Sequence, residues 1–134
     1  MLGEILDVLT AALGPTSTGS AQSHEQLFKE GRVLVFGGCV VGTRPYCRPE
    51  AAFLHLSLTA LAFSPVREAD VRARQLPVDG LETVEVRRWR TGDPAAVRRN
   101  WDVVECRDGE STVLIGCEPF YTKYVRQVLQ PVGV

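Results

Sequence analysis

The sequence predicts an α+β fold built on a mostly antiparallel sheet, and three observations point to it. Arg32–Val41 is apolar on both faces, and Phe53–Leu61 alternates with period two, so the pair reads as a hairpin with a long loop. Asp108-Gly109 separates two further strand-like runs, as a two-residue hairpin turn does. Helical spacing is confined to the N-terminal, middle and C-terminal segments. The resulting order is α-α-β-β-α-β-β-β-α, a single domain of about five mostly antiparallel strands with helices set apart from them.

The elements follow in order. Leu2, Ile5, Leu6, Leu9 and Leu13 recur at helical intervals, and Glu4 and Asp7 suit the positive end of an N-terminal helix over residues 1–14. Gly14-Pro15 stops it, and residues 15–22 form a small, polar linker before the sheet and C-terminal helix of residues 23–134. Ser23 with Gln26 reads as a capping box for a short helix over His24–Glu30, with Gly31 as its left-handed stop. The apolar run Arg32–Val41 predicts a central strand covered on both sides. In Phe53–Leu61, Leu54, Leu56 and Leu58 point one way and His55, Ser57 and Thr59 the other.

Ser64-Pro65 suits a helix start, and Val66, Ala69, Ala73 and Leu76 fall near helical spacing, which predicts a middle helix to about Gln75. Thr83–Arg90 reads as a strand, and Asp93-Pro94 as the cap of one helical turn through Val97. Trp101–Arg107 and Ser111–Cys117 make the Asp-Gly hairpin, with Cys106 expected opposite Ser111 and Asn100 opposite Cys117. Tyr121, Tyr124, Val125, Val128 and Leu129 form one stripe of a last helix, with Thr122, Lys123, Arg126, Gln127 and Gln130 on its wet side. The order of elements is similar to that of profilin-like and roadblock-type domains and of secretion-chaperone-like α+β folds. The likeness is one of topology and carries no functional residue.

Composition bounds the function. A chain of 134 residues suits one domain and holds a core without staples. Its 15 basic and 16 acidic residues give a net charge of −1, so the overall charge argues for neither nucleic acid nor a membrane surface. No apolar run reaches the roughly 20 residues of a membrane span. The apolar start carries acids where a signal peptide needs bases, so the expected setting is cytoplasmic.

Cys39, Cys47, Cys106 and Cys117 have neither Cys-x-x-Cys nor finger spacing, so no metal site is expected. Cys106 and Cys117 share a sheet face in the expected register but stand too far apart to bridge. A Cys39–Cys47 bridge stays open on geometry and is disfavoured in a reducing cytosol.

Three groups of residues are candidates for a site. Phe36-Gly37-Gly38-Cys39 follows an apolar strand, yet no helix follows it and no Lys-Ser/Thr is present, so it reads as a strand whose glycines admit close packing rather than as a phosphate loop. Cys39, His55, Ser57 and Thr59 could line a pocket; with His55 opposite Gly38, Cys39 and His55 would point to opposite faces, and one residue of slip would reverse that. Arg87, Arg88, Trp89, Arg90, Arg98, Arg99 and Trp101 interleave bases with aromatics. The segment 87–101 holds five Arg and one Asp, whereas 102–118 holds five acids and one Arg. These adjoining blocks form either a binding surface or an internal salt-bridge network.

No catalytic residue and no cofactor is expected. The leading expectation is a non-enzymatic protein-interaction domain: an adaptor, an assembly chaperone, an inhibitor or immunity-type protein, or a small viral or phage factor. A homodimer through a sheet edge or terminal helices is a variant of it. One alternative is nucleic-acid binding through the Arg/Trp segment 87–101. The other is a small enzyme or small-molecule binder over the His55, Ser57, Thr59 face.

Overall fold

The structure, a computed structural model, describes residues 20–68 and 73–129. Helix α1 (Ser20–Lys29) leads into strands β1 (Leu34–Gly42), β2 (Ala52–Leu56), β3 (Leu61–Ser64), β4 (Arg74–Gln75), β5 (Glu82–Arg88), β6 (Asp102–Asp108) and β7 (Ser111–Cys117). Helix α2 (Thr122–Leu129) ends the described chain, and short 3-10 turns cover Val78–Gly80 and Pro119–Tyr121. All strands join one antiparallel sheet in the order β4-β3-β2-β1-β7-β6-β5.

This corrects the expected count and order of elements. The sheet has seven strands rather than about five, and the described residues contain two α-helices. The predicted middle helix is absent at both described ends of its span. Ser64 closes β3, residues 65–68 are bends, and Arg74–Gln75 pair with β3 as β4. The topological likeness drawn from a middle helix lapses with it. The N-terminal helix over residues 1–14 lies outside the described residues.

The expected strand Phe53–Leu61 is two strands. A tight turn closed by Ser57 N–H donating to the Ala60 carbonyl reverses the chain between β2 and β3. Leu58, third in the expected apolar row, sits in that turn and is 40% exposed. The capping box also fails, because α1 begins at Ser20 and Gln26 instead donates to the Glu30 carboxylate along the helix.

Other expectations hold. Strand β1 is the fourth of seven, flanked by β2 and β7, and its side chains are buried on both sides. Leu34, Phe36 and Val40 point to one face, with Leu54, Leu56, Leu61, Phe63, Val104, Cys106, Val113 and Ile115. Phe28 of α1 and Tyr124, Val125, Val128 and Leu129 of α2 cover that face, so the expected stripe of the last helix is its buried side. Tyr121 stacks flat on Phe36 with ring centroids 4.2 Å apart. Thr122 departs from its expected wet position: it is buried and donates to the Asp102 carboxylate at 2.8 Å.

On the opposite face Cys39 and Val103 pack against Val97 and Trp101. These last two belong to the loop 89–101, which crosses the centre of the sheet. The loop is thus the second covering layer, where the helices are the first.

The β6–β7 hairpin forms as expected but two residues out of register. Asp108 pairs with Ser111, Cys106 with Val113 and Asp102 with Cys117. The turn is therefore Gly109-Glu110, with Gly109 at φ 66° and no other positive φ in it, which matches a II′ turn with glycine first. A shift of two keeps every side chain on its expected face.

Candidate functional site

The basic segment divides into parts with different duties. Arg87, on β5 opposite Val103, points to the face covered by the loop. Its guanidinium donates to Asp93 twice, Nη1 to Oδ2 at 2.9 Å and Nη2 to Oδ1 at 2.8 Å. Both side chains are nearly enclosed, at 11% and 5% exposure. The Arg90 amide donates to the same carboxylate at 2.9 Å. These donors hold the Asp93 carboxyl below its ordinary range, the Arg87 hydrogen bond contributing most.

Asp93 was expected to cap a helical turn. It caps a β-turn instead, and two more turns follow, Val97 N–H to Pro94 O and Trp101 N–H to Arg98 O. The loop closes where Trp89 N–H donates to Trp101 O at 3.1 Å. A chain of turns, a closed base and a bidentate clip give the loop one shape without regular structure.

Trp101 is buried beneath the loop, against Gly116 and Cys39, with the Arg98 guanidinium 5.5 Å from its ring centre. Trp89 is half-buried, and Arg99 lies 5.4 Å from its ring centre. Arg88 and Arg90 flank Trp89 in sequence and are exposed, as are Arg98 and Arg99. None of these four has an ion pair among the described residues. Of this segment's arginines, only Arg87 forms a salt bridge among the described residues, and its acid comes from its own segment. The acidic block is engaged elsewhere: Asp108 accepts from Tyr46 at 2.7 Å and pairs with Arg44 at 3.2 Å, and Asp102 accepts from Thr122.

The second candidate group does not assemble. His55 pairs with Val35, three places from the expected partner, and an odd slip puts Cys39 and His55 on one face. They are then four residues apart along the sheet, about 13 Å. Cys39 is fully buried, and burial raises its thiol pKa to about 11. His55 lies beneath the Val66 carbonyl, 3.4 Å from Nε2, and burial lowers its pKa. Ser57 and Thr59 belong to the β2–β3 turn. The four cysteines are free, and Cys39 and Cys47 lie in the cores of opposite faces, which excludes a bridge between them.

The glycines of β1 have separate reasons. A Cβ on Gly38 would overlap Leu54 and come within 2.8 Å of the Gly116 carbonyl. On the other face, Gly37 faces Phe53 across the strands, and its amide donates to the Glu118 carboxylate at 2.9 Å. A cleft of about 490 Å³ opens there, lined in part by Phe53, Arg67, Arg98, Trp101 and Glu118. Arg67, Glu118 and the role of Gly37 went unread in the sequence, because the cleft gathers them from three separate segments. A second hollow of about 680 Å³, with Arg48, Glu50 and Arg74, shares the Ala51, Ala52 and Pro65 rim.

Among the described residues no helix is long and apolar enough to cross a membrane. Comparison with family models, with curated proteins and with solved structures gives no match.

Proposed function

We propose that the protein is a non-enzymatic protein-interaction domain that engages an acidic surface of a partner through the loop 89–101. The observation that carries this reading is the arrangement around Trp89. A half-buried indole bears Arg99 on its ring, and its sequence neighbours Arg88 and Arg90 are exposed and have no ion pair among the described residues. Trp and Arg are the residue types that dominate binding hot spots. The Arg87–Asp93 clip fixes the loop before binding, which lowers the entropy lost on association.

Nucleic-acid recognition through the same segment is the weaker reading. A single-strand binder offers aromatic faces to bases. Here Trp101 is buried and each indole already carries a guanidinium. A homodimer through the β5 edge is weaker too. That edge is broken by a register shift between Thr83 and Glu85 and carries Glu82, Glu85, Arg87 and Arg88.

The test is affinity capture from the native host, comparing the wild type with R88E/R90E/R99E and with the control R126E. A protein retained by the wild type and the control but lost by the triple variant supports the reading. Retention of nucleic acid alone, or a protein retained equally by all three, overturns it.

A further inference from the structure

We propose that the cleft between Phe53 and Trp101 binds a small phosphorylated organic molecule, with Arg67 and Arg98 holding its phosphate. Each of these arginines holds its guanidinium over an aromatic ring of the cleft. Arg67 lies 5.1 Å from the Phe53 ring centre, and Arg98 lies 5.5 Å from that of Trp101. A cation–π contact of this kind leaves the guanidinium N–H groups free to grip an anion in two-pronged fashion. Neither arginine has an ion pair among the described residues. Two such cations in one hollow suit a phosphomonoester, whose charge at neutral pH is about −1.5 to −2.

Glu118 makes the site more specific than a basic patch. Its Oε2 is anchored by the Gly37 amide, so the carboxylate has a fixed place in the cleft. It repels a bare anion and accepts a hydrogen bond from a hydroxyl group. A ligand carrying both a phosphate and hydroxyls satisfies all three charged groups. Asn100 adds a side-chain donor and acceptor. Gly37, opposite Phe53, leaves the space open, since a Cβ there would press on Glu118 at 3.1 Å. The volume of about 490 Å³ lies within the range of small-molecule sites.

The site shares Arg98, Asn100 and Trp101 with the loop 89–101, but Trp89, Arg88, Arg90 and Arg99 do not line it. The partner-capture variant R88E/R90E/R99E therefore leaves it intact, and either reading can fail without the other.

The experiment is titration calorimetry with amide shift mapping, using ribose 5-phosphate, inorganic phosphate and ribose at constant ionic strength. Ribose 5-phosphate is expected to bind and to shift the Gly37 amide and the Trp101 indole. Inorganic phosphate binds more weakly and ribose not at all. R67Q and R98Q each weaken ribose 5-phosphate about tenfold, while R126Q has no effect. E118Q abolishes the preference for ribose 5-phosphate over inorganic phosphate. Both cleft arginines are exposed, so these variants keep the fold, which circular dichroism checks. The proposal is overturned by silence at Gly37 and Trp101 at millimolar ligand, by equal affinity for the sugar phosphate and phosphate, or by unchanged binding in R98Q.

Discussion

Arg87 and Asp93 meet through two parallel hydrogen bonds of 2.9 and 2.8 Å, and this pair ties the end of β5 to the loop that covers the second face of the sheet. Removing the carboxylate leaves a nearly enclosed guanidinium unpaired. Asp93→Ala is expected to cost about 2–3 kcal/mol, below the roughly 3–5 of a fully buried pair because both side chains keep some exposure. Urea unfolding measures the loss. Hydrogen exchange should show the Val97 and Trp101 amides opening first, since their turns lie within the loop.

The same pair sets an acid limit. The Asp93 pKa is lower in the folded state than unfolded, so its contribution is present above the unfolded value of about 4. It is lost as pH falls from there through the folded pKa. Thermal melts between pH 5 and pH 2 should show a steeper fall for the wild type than for Asp93→Asn.

His55 adds a dependence at milder pH. Burial lowers its pKa, so folding favours the neutral ring. That contribution is complete above the unfolded pKa of about 6.5 and declines as pH drops through the folded value. His55→Gln should flatten the stability profile below about pH 6.5, as read by unfolding at fixed urea. An unchanged slope would remove His55 as the cause.

The buried thiols should be chemically silent. Burial raises Cys39 and Cys106 to about 11 and Cys117 to about 12. The thiolate is the reactive form. At pH 8 iodoacetamide is expected to leave all three unmodified in the native protein and to label them in denaturant, as mass spectrometry would show.

The close fit at Gly38 gives a paired test. Gly38→Ala places a methyl group against Leu54 and the Gly116 carbonyl and should destabilise by about 1–3 kcal/mol. Adding Leu54→Ala cannot restore stability, because the backbone carbonyl remains in the way. A double-mutant cycle should nevertheless show a favourable coupling between the two positions.

Features set by local chemistry were legible in the sequence. The two-sided apolar run of β1, the Asp-Gly hairpin and the stripe of the last helix each depend on neighbours in the chain. The hairpin register slipped by two because Asp108 and Glu110 both suit a position beside the turn glycine; period two then hid the error. The absence of helix at both described ends of the middle segment has a different cause. Ser64-Pro65 and the spacing of Val66, Ala69 and Ala73 suit a helix locally. Leu61–Ser64 and Arg74–Gln75 instead complete a sheet edge beside β2, a gain that only tertiary pairing provides.

The candidate site divides the same way. Alternating Arg and Trp in 87–101 marked the loop, and the count of charges showed that it was basic. The bond from Arg87 to Asp93 and the gathering of Gly37, Arg67 and Glu118 depend on how distant segments cross, which spacing does not encode.

The most direct measurement of the account is photo-crosslinking in the native host with benzoylphenylalanine at position 90 or 99, and at position 127 as a control. A discrete protein adduct is expected from positions 90 and 99, diminished by high salt, and none from position 127, on the exposed side of α2. Adducts to nucleic acid, or the same adducts from all three positions, would contradict it.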